Sequence, residues 1–287
     1  MIENFHFSWY LLLPLLGFAI GLLVTMIGGG GGIFYVPVLT LLFKIPTQYA
    51  VAASLASIIP TTILGSVSHY RNGNLNLKIG MILGLGGIGG TFLGAYLSSL
   101  ISPTGLSKLF GMVMIILAIP MIFSSRKRVQ TGFGSINDSN TNTYDNSNIN
   151  SISDSAPSNA DIVATKDKIV IATLFGLLSG MMAGMFGISG TPPVITCLYL
   201  LGYAAPVVVG TSVFVLLFNA VSGLFGHLMI GQFDLLLIVL LGTGSAFGAY
   251  IGPKQLSKMR TTDLEKGYAP LFISMNFIIG IIMILIS

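Results

Sequence analysis

Two glycine-rich runs interrupt the apolar sequence and could bind a small anion through the backbone. The first is Gly28-Gly29-Gly30-Gly31-Gly32, and the second is Gly187-Ile188-Ser189-Gly190-Thr191, followed by two prolines. Each glycine in a helix costs about 1 kcal/mol relative to alanine, so five in a row favour irregular backbone. We therefore interpret both runs as breaks, after which short helices begin near Gly32 and near Thr191.

A helix that begins inside an apolar segment is suited to anion binding. Its first N–H groups lack partners, and its dipole places partial positive charge at that end. Serine and threonine are good N-caps, so the hydroxyls of Ser189 and Thr191 would add donors. Two alternatives remain open. Thr191 could cap its helix without a ligand, and the glycine block could be a tight contact between helices.

The composition places these breaks in a membrane. Of the 287 residues, 53% are hydrophobic and only 8% are charged, whereas soluble domains carry about 25% charged residues. Irregular backbone within a bilayer is tolerated only where it is buried in protein or lines a polar cavity. We expect an all-α integral membrane protein with a first membrane unit at 1–128, a disordered Asn/Ser-rich linker at 129–165 and a second membrane unit at 166–287.

The two membrane units are copies of one repeat of about five hydrophobic segments. Gly28 and Gly31 match Gly187 and Gly190 at an offset of 159, and the offset is then 158 for some 55 residues. The later matches are Ser54 with Ser212, Gly65 with Gly223, His69 with His227, and Gly84, Gly86, Gly90 and Gly94 with Gly242, Gly244, Gly248 and Gly252. One offset kept over such a length indicates an internal duplication.

Basic residues favour an inverted relation between the repeats. Suppose that the two hydrophobic segments on either side of each glycine-rich run form a hairpin. Eleven of the thirteen basic residues then lie on one side of the membrane, and only Lys44 and Lys108 lie on the other. The positive-inside rule makes that basic side cytoplasmic. The linker would then be cytoplasmic and both termini would face outward. Inverted repeats with paired broken helices are typical of secondary transporters.

Polar residues inside the apolar segments are further candidates for the site. His69 and His227 could line the pathway, aiding anion entry or taking up a proton, or could be solvated residues at the membrane interface. Four polar residues of the third segments could also touch the substrate: Ser54, Ser212, Thr211 and Asn219. Polar groups at such positions more often bond a neighbouring helix.

Several function classes are disfavoured by what the sequence lacks. All nine acidic residues fall outside the apolar segments or at their ends, which suits an anionic substrate and weakens a cation-transport interpretation. There is no phosphate loop for ATP, and one cysteine cannot form a metal cluster or an internal disulfide. The G-x-G-x-x-G pattern at Gly84–Gly89 lies in a membrane segment, so it predicts close helix packing. We expect no cofactor, no metal and no nucleic-acid partner.

Together these features resemble the TauE/SafE family of membrane anion transporters, often called sulfite exporters. The resemblance rests on the glycines from Gly28 to Gly32 with Pro37 downstream, on the second copy from Gly187 to Thr191, and on the two-halves layout. It implies a transporter of sulfite, an organosulfonate or another small anion. The second copy departs from the pattern, because Ser189 and Thr191 replace glycines.

The sequence therefore predicts a secondary transporter, an exporter of a small sulfur-containing anion in the cell membrane, that works by alternating access. The expected binding residues are Gly28, Gly29, Gly30, Gly31, Gly32, Gly187, Ser189, Gly190, Thr191, Ser54, Ser212, His69 and His227. The expected partners are the anion and the lipid bilayer, with a homodimer as a possible assembly. The alternatives are an anion channel with a glycine-rich filter and a membrane enzyme, for which the membrane segments offer no acid, base and nucleophile set.

Overall fold

The computed structural model describes residues 7–27, 32–130, 166–203, 205–256 and 277–285. All regular structure in these ranges is helical, which confirms the all-α class there. The helices are α1 (Phe7–Ile27), α2 (Gly32–Pro37, continued by a π-helical turn at Val38–Leu42), α3 (Thr47–Arg71), α4 (Leu77–Leu100), α5 (Pro103–Gln130), α6 (Lys166–Phe186), α7 (Thr191–Leu200), α8 (Ala205–Ile230), α9 (Leu235–Leu256) and α10 (277–285).

Four of these helices, α3, α4, α6 and α8, are long and apolar enough to cross a membrane. The outer faces of α4 and α6 carry large apolar side chains that are at least 40% exposed, among them Leu85, Leu93, Leu174 and Leu178. Apolar faces of this extent require an apolar surrounding. The protein is therefore a multi-pass membrane protein, and lipid covers these faces.

Glycines bring α4 and α6 into backbone contact. A methyl group added at Gly90 would overlap the carbonyl oxygen of Leu177, and one added at Gly180 would overlap the carbonyl oxygen of Gly87. Glycine at every fourth position leaves a flat helix face on which another backbone can lie. Within the G-x-G-x-x-G pattern, Gly84 packs against Phe218 and Gly86 against the Thr173 carbonyl, as predicted, whereas Gly89 has no neighbour within 4 Å of an added methyl group.

The same interface occurs a second time with repeat-equivalent residues. In the pair α1 and α9, Gly244 lies against the carbonyl of Pro14 and Gly248 against that of Phe18. Gly244 and Gly248 are the counterparts of Gly86 and Gly90. The first helix of each repeat therefore packs against the fourth helix of the other repeat, so the two units exchange helices rather than fold side by side.

Contacts between glycines and their neighbours give the helix directions. Gly176 lies against Leu83 and Gly184 against Thr91, so α6 runs parallel to α4, and the contacts Gly244–Pro14 and Gly248–Phe18 make α1 parallel to α9.

The central pair α3 and α8 is antiparallel. Gly223 lies against Leu55, whereas Gly65 lies against Val213. The α8 helix is also parallel to α4, because Gly84 contacts Phe218 and Gly226 contacts Ala95. The α9 helix follows α8 through a four-residue turn and returns beside α3. Hence α1 and α3 share one direction, α6 and α8 share the opposite one, and α2 and α7 are the return segments between them.

We predict that Gly90→Ala destabilises the protein and that Gly89→Ala does not. The methyl group at position 90 would overlap the Leu177 carbonyl oxygen, whereas nothing lies within 4 Å of one at position 89. Overpacking of this kind costs about 1–3 kcal/mol, while alanine raises helix propensity at both positions. Thermal unfolding in detergent measures the difference. Equal melting temperatures for the two variants would contradict the glycine-mediated contact.

Candidate functional site

The second break has the predicted position and an unusual backbone. Helix α6 ends at Phe186, and Gly187, Ser189 and Gly190 then have φ values of 67°, 57° and 69°. Helix α7 begins at Thr191, as expected, but its N-cap is the left-handed Gly190, with no side-chain cap. Ser189 has the backbone conformation that favours glycine, and its repeat counterpart is Gly30. Serine is thus held at a glycine position.

The two breaks touch each other. A methyl group added at Gly32, the first residue of α2, would overlap the carbonyl oxygen of Gly187, and Gly187 itself lies against Val36 and Val51. Gly32 is buried in this contact. The first four glycines of the block, from Gly28 to Gly31, lie outside the described residues. The tight contact that was the alternative for the block therefore exists at Gly32, and it joins the start of α2 to the first residues of the second break.

Three buried side chains donate hydrogen bonds to the carbonyl oxygens of the second break. The Ser54 hydroxyl donates to Gly187 O at 3.1 Å, and the Ser179 hydroxyl donates to Gly190 O at 2.6 Å. The Asn219 amide donates to Ser189 O at 3.3 Å and to the Ser179 hydroxyl oxygen at 2.8 Å. The negative ends of these peptide dipoles are therefore occupied by donors. This arrangement lowers the repulsion that an anion would meet at the break.

The start of α7 carries two hydroxyls where backbone donors are missing. Pro192 and Pro193 have no N–H, whereas the first four residues of α2, Gly32 to Tyr35, all have one. The Ser189 and Thr191 hydroxyl oxygens lie 3.1 Å apart at this start, and Ser189 is fully buried. The Ser189 hydroxyl also donates to Ile188 O at 2.5 Å, so an anion at this helix start would compete with that carbonyl for the donor.

Replacing Ser189 separates its structural role from its binding role. We predict that Ser189→Gly stabilises the fold by up to about 1 kcal/mol, because glycine adopts a positive φ without strain, and that anion affinity nevertheless falls. Ser189→Ala keeps the strain and loses the hydroxyl, so both stability and affinity should fall. Thermal unfolding and anion titration of the two variants test this. Unchanged affinity in both would remove Ser189 from the site.

Not every predicted residue lies at the crossing, the place where Gly32 of the first break contacts Gly187 of the second. The Ser212 hydroxyl donates to Val209 O within its own helix, at 2.8 Å. His227 is fully buried, with Nε2 2.8 Å from Gly184 O, so it is not a solvated interfacial residue. His69 is half-buried beside Gly210. The structure brings together Ser54 and the break residues, and it leaves Ser212 and both histidines apart from them.

Ser179 was not a candidate from the sequence, whereas Asn219 was named there as a polar group that could touch the substrate. Ser179 is the counterpart of Ile20, and Asn219 is the counterpart of Thr61, so the repeat comparison does not single them out. Their signal is that of polar groups within apolar helices, which require a hydrogen-bond partner when buried. Sequence alone does not identify that partner, because the repeats exchange helices.

Comparison with known proteins agrees with this architecture. The family model of the sulfite exporter TauE/SafE matches residues 13–283. The probable membrane transporter protein YdhB of Bacillus subtilis (strain 168) is 32% identical over 259 residues, which covers 89% of this chain and 94% of the relative. The probable membrane transporter protein YunE of the same organism is 28% identical over 263 residues, covering 89% and 91%. No solved structure matches the chain.

A multi-pass membrane transporter, and not an enzyme, is the class that this fold and these relatives define. The chain belongs to the TauE/SafE sulfite exporter family.

Proposed function

We propose that the protein exports a small sulfur oxyanion or sulfonate, such as sulfite, and binds it where the two breaks cross. The observation that carries this proposal is the set of donors on Ser54, Ser179 and Asn219 that occupy the carbonyl oxygens of the second break. With those oxygens occupied, the starts of the two short helices, where the helix dipole is positive, favour an anion at this point.

Alternating access is the proposed mechanism, and the helix directions support it. Helices α1 and α3 run opposite to their counterparts α6 and α8, as inverted repeats would. Paired broken helices that meet between inverted repeats allow one unit to rock against the other around a fixed site. The exchange of α1 and α6 between the units means that each rocking body contains helices from both halves of the sequence.

The proposed orientation places the linker in the cytoplasm and both termini outside. Helix directions put Arg71, Lys78, Lys166 and Lys168 at one end of the bundle, with Lys44 and Lys108 at the other. An excess of basic residues marks the cytoplasmic side. Since α10 runs antiparallel to α5, with Gly280 beside Ile115 and Gly111 beside Ile284, the last described helix ends on the sparsely charged side.

Roles of individual residues follow from their places. Gly32, Gly187, Ser189, Gly190 and Thr191 form the described part of the proposed anion site. Ser54 orients the second break through its hydrogen bond to Gly187 O. Gly28 to Gly31 stay predicted members of the site as repeat counterparts of the second break, and Ser212 stays a prediction as well. His69 and His227 as pathway residues, and a homodimer, stay predictions.

Counterflow in proteoliposomes tests the function. Vesicles are loaded with unlabelled sulfite, sulfoacetate, taurine or sulfate, and entry of the same labelled anion is followed. A carrier produces a transient accumulation of label with one sulfur-containing anion, because exchange is faster than net flux. Simple downhill entry without acceleration would favour the channel. No flux of any of these anions above that of protein-free vesicles would overturn the substrate class.

A further inference from the structure

A second feature of the structure is a pocket at the sparsely charged end of the bundle, away from the contact between the two breaks. It has a volume of about 200 Å³ and is formed by the π-helical turn after α2, the loop that precedes α3, and the start of α5. Its polar lining residues are Thr40, Lys44, Thr47, Thr104 and Ser107, and no acidic residue is among the described residues that line it. This volume corresponds to roughly six or seven water molecules, which is sufficient for a tetrahedral oxyanion.

Lys44 lines this pocket, is exposed to solvent and has a backbone conformation that lysine rarely adopts. Its φ is +55°, and its repeat counterpart Gly202 has a φ of +87°. Lysine rarely adopts this left-handed conformation, in which glycine is unstrained. The first repeat therefore keeps a cation at a position where the second repeat uses glycine, and strain of this kind points to a function for the side chain.

Thr40 supplies an unsatisfied buried group in the same pocket. Its hydroxyl oxygen is buried and has no hydrogen-bond partner among the described residues. Threonines in the regular helices, such as Thr62, Thr196 and Thr243, return their hydroxyl to the carbonyl four residues earlier. Thr40 lies in a π-helical turn, a geometry that is frequent at functional sites.

The pocket belongs to one end of the molecule only. The repeat counterparts of Lys44 and Thr47 are Gly202 and Ala205, which offer neither a hydroxyl nor a charge. Side chains needed for the packing of both repeats would be expected at equivalent positions in both. A pocket with a basic residue in one repeat and not in the other instead suits a molecule whose two faces meet the substrate differently.

We propose that this pocket is a second anion-binding site, a vestibule that holds a sulfur oxyanion on its passage between the central site and the Lys44 side. The Lys44 ammonium supplies the charge, and the hydroxyls of Thr40 and Thr104 supply donors. The identity of the anion rests on the proposed function, whereas the existence of the site rests on the pocket. Lys44 also raises the local anion concentration at this end.

Protection of Lys44 from acylation tests the site without requiring transport. The purified full-length protein is treated with an amine-acylating reagent, with and without sulfate or sulfite at constant ionic strength, and each lysine is quantified by peptide mass spectrometry. Lys108, exposed at the same end but outside the pocket, is the internal control. Either anion should slow acylation of Lys44 about threefold when the site is about two-thirds filled, and leave Lys108 unchanged. Equal slowing at both lysines, or none, would overturn the vestibule.

Transport kinetics of matched variants separate this proposal from the central one. Lys44→Gln should raise KM for anion on the Lys44 side with little change in kcat, and Lys108→Gln should match the wild type. Thr40→Val should weaken the protection of Lys44, and Thr40→Ser should restore it. If no anion is transported but Lys44 is protected, the transport proposal fails and the vestibule stands. If sulfite is transported while Lys44 is unprotected, the vestibule fails alone.

Discussion

Gly190→Ala is expected to abolish transport while the protein still inserts into the membrane. A methyl group at this position would overlap the carbonyl oxygen of Ser179, and the Ser179 hydroxyl would also be displaced. That hydroxyl holds the Gly190 carbonyl and accepts the bond from Asn219. Because α6 and α8 keep their apolar faces, the clash moves the break rather than unfolding the bundle.

A matched control exists at Gly202. This residue has a φ of +87°, and nothing lies within 4 Å of an added methyl group, so Gly202→Ala introduces the left-handed strain without a clash. The strain costs about 1–2 kcal/mol in either variant. Proteoliposome flux should vanish for Gly190→Ala and stay near wild type for Gly202→Ala. Normal flux through Gly190→Ala would mean that the geometry of the second break does not matter for transport.

Asn219→Asp is the second change from which we expect a large effect. The side chain keeps its shape but loses the N–H groups that donate to Ser189 O and to Ser179. Leaving a buried acceptor unpaired costs about 1–3 kcal/mol. A carboxylate beside the break would also repel the substrate. We expect an anion affinity at least about tenfold lower, which corresponds to roughly 1.4 kcal/mol.

Asn219→Thr distinguishes loss of donors from loss of shape. Threonine is the residue at the equivalent position 61 of the other repeat, and it keeps one hydroxyl donor. Anion titration should rank the wild type first, Asn219→Thr second and Asn219→Asp last. If Asn219→Asp bound sulfite as tightly as the wild type, the donors behind the break would have no part in selecting an anion.

The sequence predicted those features that a local pattern determines. Glycine blocks within apolar sequence gave the position of the second break and the start of α7 at Thr191, because proline and glycine constrain the backbone locally. The G-x-G-x-x-G pattern at Gly84–Gly89 predicted close helix packing, which Gly84 and Gly86 make. The repeat offset identified equivalent residues without any knowledge of which helices touch.

Features that depend on packing between the repeats were beyond the sequence. Ser54 and Ser212 were paired as equivalents, yet in the described residues Ser54 bonds the opposite break and Ser212 bonds its own helix. Ser179 was missed because its partners are 11 and 40 residues away in the chain. Only the exchange of α1 and α6 between the units brings such groups to one point.

The most direct test of the central claim is the thermal stability of the purified protein with sulfite, sulfate, thiosulfate, sulfoacetate, taurine and simple carboxylates. A ligand at a hundred times its Kd stabilises the folded state by about 2.7 kcal/mol. We predict a selective rise in Tm with a sulfur oxyanion or sulfonate, and a much smaller rise in Asn219→Asp. No response to any of these anions, or an equal rise in the variant, would contradict an anion site at the crossing of the two breaks.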